Sequence, residues 1–490
     1  MKHLRKMSLL LALLMLSATA CGPADDTGDD TSADTVTESA AETVDPMTVL
    51  DLPADLRYPN QVIRLLTSEN ILASVEAEDL TEDIDALSKA MYDRTMAVEE
   101  RLSIDFEFIN VVPWTDTANI VRQSVGAGSD DYDMVFTCAS AQVNLVNEGL
   151  YLPVSELPYV DLSKPWWNRE YIDSVSLNAD EPYILFGDIS YNMIQRTCCT
   201  YFNVRLLDEK LGMKPEDIYQ LVLDGEWTLD KFTELVSAVY EDANGDTKND
   251  GGDIHGLVVN GNSAFEFLAY SAGVDFTTRD EDGYPQLNMN NETTLGLVEK
   301  LCNLHFGNEA VYNANDNHGH IQNFADGKAV FIVNRVFISG WDFLREMKDD
   351  YGMVPNPKYD DSIDGYQSAV ETLVQWGTVP VTVKDPVMIS AVAEALAYYS
   401  REYTTPAYYD TTLKLKQTRD DMSMQMIDLI MDSRKTDYLY INRLNGMGDI
   451  FRSIYNAGQN TFASQYASRE MGALNALKTL VQDYEEAFEK

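Results

Sequence analysis

The chain has 490 residues, with 80 Asp and Glu against 36 Lys and Arg, and a formal charge of −44. So acidic a body repels phosphate backbones and anionic surfaces, which sets nucleic acid aside as a partner. Beyond the amino-terminal segments about 430 residues remain, more than one hydrophobic core ordinarily covers, and two lobes are expected.

Lys2, Arg5 and Lys6 precede the apolar stretch SLLLALLMLSATA, residues 8–20, which is short for a bilayer span and ends in small residues. Cys21 and Gly22 follow. The arrangement resembles a bacterial lipoprotein signal, although Ala18 stands where that family usually has Leu. The resemblance implies cleavage before Cys21, a palmitate-type lipid on that residue, and a place on the outer face of the bacterial cell membrane, extracellular or periplasmic. The alternative is an ordinary secretory signal cut near Ala20. Residues 22–47 hold no Lys, Arg or aromatic side chain. A segment of that composition cannot offset its chain entropy by burial, so 21–56 is expected to be a disordered acidic tether. No later stretch is long and apolar enough for a transmembrane helix.

VIRLLT, residues 62–67, reads as a buried strand. A helix follows with Ile84, Leu87, Met91, Val98 and Leu102 on one face. IDFEFINV, 104–111, alternates as a strand does. Ile120, Val121 and Val125 mark a helix that ends at GAGS, YDMVFT (132–137) is a third strand, and Val143 and Val146 lie on a helix running to Gly149. This alternation means an α/β fold with a parallel sheet covered on both faces. Ligands in such sheets sit beyond the carboxyl ends of the strands. That places Ser68 and Glu69 (in SEN, 68–70) and Cys138 and Ser140 (in CASAQ, 138–142) at a candidate site.

Further on, Thr228 is a good N-cap for a helix over 229–243, with an apolar stripe of Phe232, Leu235, Val236 and Val239. It leads into DANGDTKNDGGDIHG, which has oxygen-bearing side chains at Asp242, Asn244, Asp246, Asp250 and Asp253. Counted from Asp242 these are positions 1, 3, 5, 9 and 12 of an EF-hand loop, with the Lys248 carbonyl at position 7. IHGLVVN then reads as a strand. Half an EF-hand cannot work as a two-helix switch. A structural Ca2+ that pins the preceding helix to the following strand is expected; an acidic surface loop without an ion is the alternative.

Four cysteines follow Cys21: Cys138, Cys198, Cys199 and Cys302. They form no disulfide framework and no zinc pattern. Cys198 and Cys199 are read as small buried residues of a strand rather than as a vicinal disulfide. No GxSxG elbow, HExxH or P-loop occurs, and no motif marks a glycosidase carboxylate pair. His318 and His320, in NHGH, are read as polar loop residues rather than as a metal pair.

The order of several pieces carries a resemblance: YDMVF and EGLYLPVSEL; PWWN and LFGDIS; YFNVRLLDEKLG, DGEWTLDKFTELV and the calcium-type loop; then FADGKAVFIVNR, YGMVPNPKYD, VPVTVKDPVMISAVAEALAYYS and LKLKQTRDDMSMQMIDLI. Over about residues 60–455 this resembles the carbohydrate-type solute-binding lipoproteins of ABC transporters, family 1 proteins related to maltose-binding protein. The resemblance implies a type II periplasmic-binding-protein-like fold of two hinge-linked lobes, each a mostly parallel sheet flanked by helices. Lobe one would comprise 57–188 and 370–405, lobe two 189–369 and 406–490, with crossings at 187–190 and 375–380. It implies a monomer with no enzymatic activity that captures a sugar or oligosaccharide between the lobes and delivers it to permease subunits. A carbohydrate-active enzyme, a carbohydrate-binding adhesin, or a peptide as ligand are the alternatives.

A sugar site needs flat aromatic faces and planar hydrogen-bonding groups. Trp341 and Trp376 are candidate faces. Trp227 is expected to pack in the core, and Trp166 and Trp167 fit a rim as well as a cleft. Arg335 is a cation beside an apolar strand that needs a partner, either an Asp of its own lobe or the ligand. Asp188 suits hydroxyls or a turn cap, and the resemblance loosely matches Asn442 to a cleft-lining helix.

Overall fold

The computed structural model describes residues 46–68, 84–314, 318–413 and 421–488. Cys21, the apolar leader and the acidic segment through residue 45 lie outside them, as do Glu69 and Asn70. Packed chain begins earlier than the expected tether boundary at residue 56. Leu52 is buried, Leu50 and Leu56 lie against the core, and Arg101 donates to the carbonyls of Leu52, Pro53 and Leu56. Leu50, Leu52 and Leu56 provide this burial.

One sheet has the strand order Gln375–Thr378, Met134–Cys138, Gln61–Ser68, Ile104–Val111. The last three are mutually parallel and the first is antiparallel to its neighbour. Side chains alternate between the two faces. Ile63, Leu65, Met134 and Phe136 join one core with Val98 and Leu102 of the helix Ala86–Leu102 and with the helix Pro386–Glu402. Leu66 and Val135 face the other way, toward Val121 of the helix Thr117–Gly126 and Leu145 of the helix Ala139–Asn147. Burial on both faces explains the nearly continuous apolar runs in these strands.

A second sheet runs Tyr351–Val354, Cys198–Asn203, Ala329–Arg335, Ile254–Val259, Tyr240–Glu241, with Val311–Asn313 also paired to Ile254–Val259. It is mixed: Cys198–Asn203 is antiparallel to both of its neighbours, while Ala329–Arg335 and Val311–Asn313 are parallel to Ile254–Val259. Leu257, Val259, Phe331 and Val333 pack with Trp227 and Phe232, and the Trp227 indole donates to the Pro355 carbonyl at 2.9 Å. Cys198 and Cys199 are buried free thiols on their strand, pushed up by burial.

The helix before the calcium-type loop is shorter than its apolar stripe suggests. Thr228 caps it through the Lys231 amide, as expected, but it is Leu229–Ser237. Gly256 presses against its end, where a Cβ would lie 2.0 Å from the Val236 carbonyl oxygen. Tyr240–Glu241 then pairs antiparallel with Ile254 and His255. Residues 242–253 therefore join two strands, and the expected direct passage from helix to loop is corrected.

Trp166 and Trp167 are both buried, and their indole N–H groups donate to the two oxygens of Glu394, at 3.0 and 2.9 Å. Both also border a cavity of about 770 Å³. Burial pushes the Glu394 carboxyl up to about 7, against the donors that favour its charged form. In the unfolded chain this acid titrates at its ordinary value of 4.5. Between those two values the folded state binds the proton more tightly, so this contribution to stability is full below the lower value and fades as pH rises through about 7. The melting temperature of wild type should thus fall more steeply from pH 5 to pH 8 than that of Glu394→Gln. Equal slopes in scanning calorimetry would contradict the assignment.

Candidate functional site

Residues 369–375 run between the two sheets and are hydrogen-bonded on both sides. On the second sheet's side, the Cys198 amide donates to the Ala369 carbonyl at 2.8 Å, Thr197 bridges Val370, and the Glu371 amide donates to the Arg196 carbonyl at 2.9 Å. The chain then turns, with the Val374 amide bonded back to the Glu371 carbonyl. On the first sheet's side, the amides of Ser140 and Ala139 donate to the carbonyls of Thr372 and Val374 at 3.0 and 2.7 Å. Gln375 pairs with Cys138, and its side chain donates to the Ser68 carbonyl at 2.6 Å.

Glu371 stands in this turn between two guanidiniums. One of its oxygens accepts from Arg335 Nη1 at 2.7 Å and the other from Arg196 Nη1 at 3.1 Å. The three side chains retain 12 to 19% exposure, so the cluster is sheltered but reaches solvent. Both guanidiniums lie over the Phe337 ring, at 4.7 and 5.5 Å from its centroid. Trp341 stands edge-on to Phe337 at 4.7 Å, and His318 edge-on to Trp341 at 5.0 Å. Trp341, His318, Phe343, Gln322 and Asp326 border a cavity of about 880 Å³. The arrangement offers donors, a fixed carboxylate and aromatic surface close to the joint between the sheets.

Of the residues singled out in the sequence, Ser68, Cys138, Ser140 and Arg335 come together along 371–375. Ser68 Oγ also bonds Thr137, and Cys138 Sγ lies 3.4 Å from Ser140 Oγ. Trp341 is next to Arg335 through Phe337. The others lie elsewhere. Trp376 is buried, donates to the Tyr171 hydroxyl at 3.1 Å, and borders a separate cavity of about 450 Å³ together with Asn442. The Asn442 amide also donates to the Tyr438 carbonyl. Asp188 is paired with Arg401 and accepts from Thr405, both at 3.0 Å, at the edge of a third cavity of about 770 Å³; burial pushes its carboxyl up despite Arg401. His318 and His320 diverge, since His320 Nε2 lies 3.1 Å from the Asn334 side chain. Sequence reasoning missed Arg196, Glu371 and Phe337. The available signal was faint: Arg196 and Glu371 are lone charges abutting the apolar strands TCCTYF and TLVQW.

In the loop 242–253, side-chain oxygens turn the backbone. Asp242 accepts from the Gly245 and Thr247 amides, Asn244 from Asp246, Asp246 from Lys248, and Asp250 from Gly252, at 2.7 to 2.9 Å. Asp253 is fully buried; its Oδ2 faces the Asp250 amide, while its Oδ1 has no hydrogen-bond partner among the described residues. Among the described residues no three His, Cys, Asp or Glu side chains converge as a metal-binding group, and no helix is long and apolar enough to cross a membrane.

No protein-family model and no curated protein matches the chain. Solved structures do. The maltose/maltodextrin-binding domain MalE from Bdellovibrio bacteriovorus, bound to maltotriose, is 15% identical, with a TM-score of 0.53 over 86% of this chain and all of that one. An ABC substrate-binding protein from Listeria monocytogenes in complex with cycloalternan is 11% identical, with a TM-score of 0.52 over 86% and 99%. The apo form of RafE from Streptococcus pneumoniae is 15% identical, with a TM-score of 0.51 over 86% and 97%. The chain has the two-lobed fold of type II periplasmic binding proteins.

Proposed function

We propose that this protein is the substrate-binding component of an ABC importer: it captures a sugar or oligosaccharide between its two sheets and delivers it, chemically unchanged, to permease subunits in the membrane. The observation that carries the reading is the charged cluster Arg196–Glu371–Arg335 on the segment shared by both sheets, flanked by Phe337 and Trp341, in a fold whose solved examples include proteins bound to maltotriose and cycloalternan. Guanidinium forks suit the hydroxyls and ring oxygens of sugars, and aromatic rings suit their C–H faces. A solute touching both sides of a hinge favours the closed arrangement by its extra contacts there.

Two further parts belong to the reading. The protein works as a monomer tethered by lipid at Cys21, supported by the apolar leader and the acidic segment that flank that residue. The loop 242–253 holds a structural Ca2+. Asp242, Asn244, Asp246, Asp250, Asp253 and the Lys248 carbonyl are all hard oxygen donors, as this ion requires. The buried Asp253 Oδ1, without a hydrogen-bond partner among the described residues, fits a group whose partner is a cation.

A matching oligosaccharide at 100 times its dissociation constant should stabilise the fold by about 2.7 kcal/mol and make the particle more compact in small-angle scattering. A peptide panel that raises the melting temperature where no saccharide does would overturn the sugar reading. Calcium should raise the melting temperature and EDTA lower it, and Asp246→Ala should abolish the difference while saccharide affinity in calcium stays the same. Indifference of the wild type to both reagents would remove the ion. Cys21→Ala should leave the protein unprocessed or released into the medium; unchanged partition with membranes would exclude the anchor.

A further inference from the structure

We infer that the cavity of about 450 Å³ bordered by Trp376 and Asn442 is a second binding site, which takes a small organic cation with an apolar body, such as an aromatic ammonium. The inference stands apart from the capture of a saccharide at the joint, because none of Arg196, Arg335 and Glu371 borders this cavity. Its volume falls within the range usual for small-molecule sites, about 300–1,000 Å³. Val143 and Val146, on the helix Ala139–Asn147, line it from the first sheet's side. Asn442 and Leu480 line it from the second's. Leu480 lies on the helix Phe462–Phe488, whose Tyr466 and Leu477 belong to the second sheet's core. An occupant would touch both parts of the fold.

The walls are already held in place. Trp376 is fixed by the Tyr171 hydroxyl at 3.1 Å. Arg279 donates to the carbonyls of Asp173, Ser176 and Leu177 at 2.6, 2.7 and 3.0 Å, which fastens the stretch that carries Val175. Tyr484 stands edge-on to Tyr183 at 6.3 Å and to Tyr284 at 6.1 Å. Little freedom is left to lose on binding. The polar groups choose the ligand. Glu148, Glu181 and Asp483 border the cavity, and no Lys, Arg or His does so among the described residues. Arg122 takes both oxygens of Glu148 at 2.7 Å, and Glu181 accepts from the Ser155 hydroxyl. Neither Glu181 nor Asp483 has an ion pair among the described residues, so both are open to a cation. Burial first, and then the Glu181 carboxylate, push the Tyr183 hydroxyl up to about 12, so this phenol stays neutral and its ring can meet a cation. An anion in the same place would face carboxylates alone.

The test uses the full chain and three probes of similar size, benzyltrimethylammonium, benzyl alcohol and phenylacetate, in titration calorimetry. The ammonium should bind at least about tenfold more tightly than phenylacetate, with benzyl alcohol between them. Glu181→Gln combined with Asp483→Asn should remove most of that margin and leave benzyl alcohol within about twofold. Both positions reach solvent, so this variant should fold. Leu480→Trp, on the half-buried side of its helix, should fill the cavity and weaken all three probes together. Absence of ammonium binding, equal binding of the three probes, or ammonium binding that neither variant changes would overturn the site. Saccharide binding is read in a separate titration, and its presence or absence decides only the reading at the joint.

Discussion

Glu371 is bonded to two arginines on a stretch of backbone that is itself hydrogen-bonded to both sheets. The rest of the candidate site depends on that placement. Arg196 and Arg335 come from the second sheet's side, Ser68, Cys138 and Ser140 from the first, and 371–375 is the turn between them. The turn is held on one side by the bridge of Val370 to Thr197 and on the other by the strand that starts at Gln375. The charges thus sit at the joint between the two sheets. Their partial exposure also matters. A fully buried triad would carry a large desolvation cost, and a fully exposed one would be screened to little effect. At 12 to 19% exposure the pairs are sheltered from full screening and still reach solvent.

Glu394 shows the same residue type in the opposite role. Its partners are two neutral indoles and the Asp161 amide rather than cations. Held so, it locks Trp166 and Trp167 into the first sheet's core. That locking has a second consequence at Gly187, where a Cβ would lie 2.1 Å from the Trp166 carbonyl oxygen. The backbone from 187 onward leaves the first sheet through a gap that only glycine fits. The aromatic pair therefore acts on the path of the chain.

The regular elements were legible because each is a local signal. Alternation in IDFEFINV coincides with the strand Ile104–Val111, and the stripe through Met91, Val98 and Leu102 with the helix Ala86–Leu102. The site was legible only in part. Arg335 declared itself as a cation beside an apolar strand, yet its partner is Glu371, not an Asp of its own lobe. Nothing local links residues 196, 335 and 371; only the crossing of the chain between sheets brings them together. Trp376 looked equally suited to a ligand, but its strand turns it toward Tyr171. The stripe ending at Val239 overstated its helix for a similar reason: Gly256 and the pairing of Tyr240 are tertiary contacts that no window of sequence contains.

The strand Ala329–Arg335 separates two tasks along its length. At its far end Lys328 donates to the Gly252 carbonyl, its own carbonyl accepts from the His255 amide, and Asn323 donates to the Gly251 carbonyl. Asn249 reaches across to the Glu309 carbonyl, and His255 stacks on Tyr312 at 5.0 Å. The acidic loop is thus fastened to the start of the strand, while Arg335 closes the other end. Seven residues of strand span roughly 20 Å, which at ordinary ionic strength is about two screening lengths. A cation held by the loop would tighten the second sheet by joining these segments, yet its charge would scarcely reach the arginines. An ion at the loop and a solute at the arginines would then be linked through the strand between them.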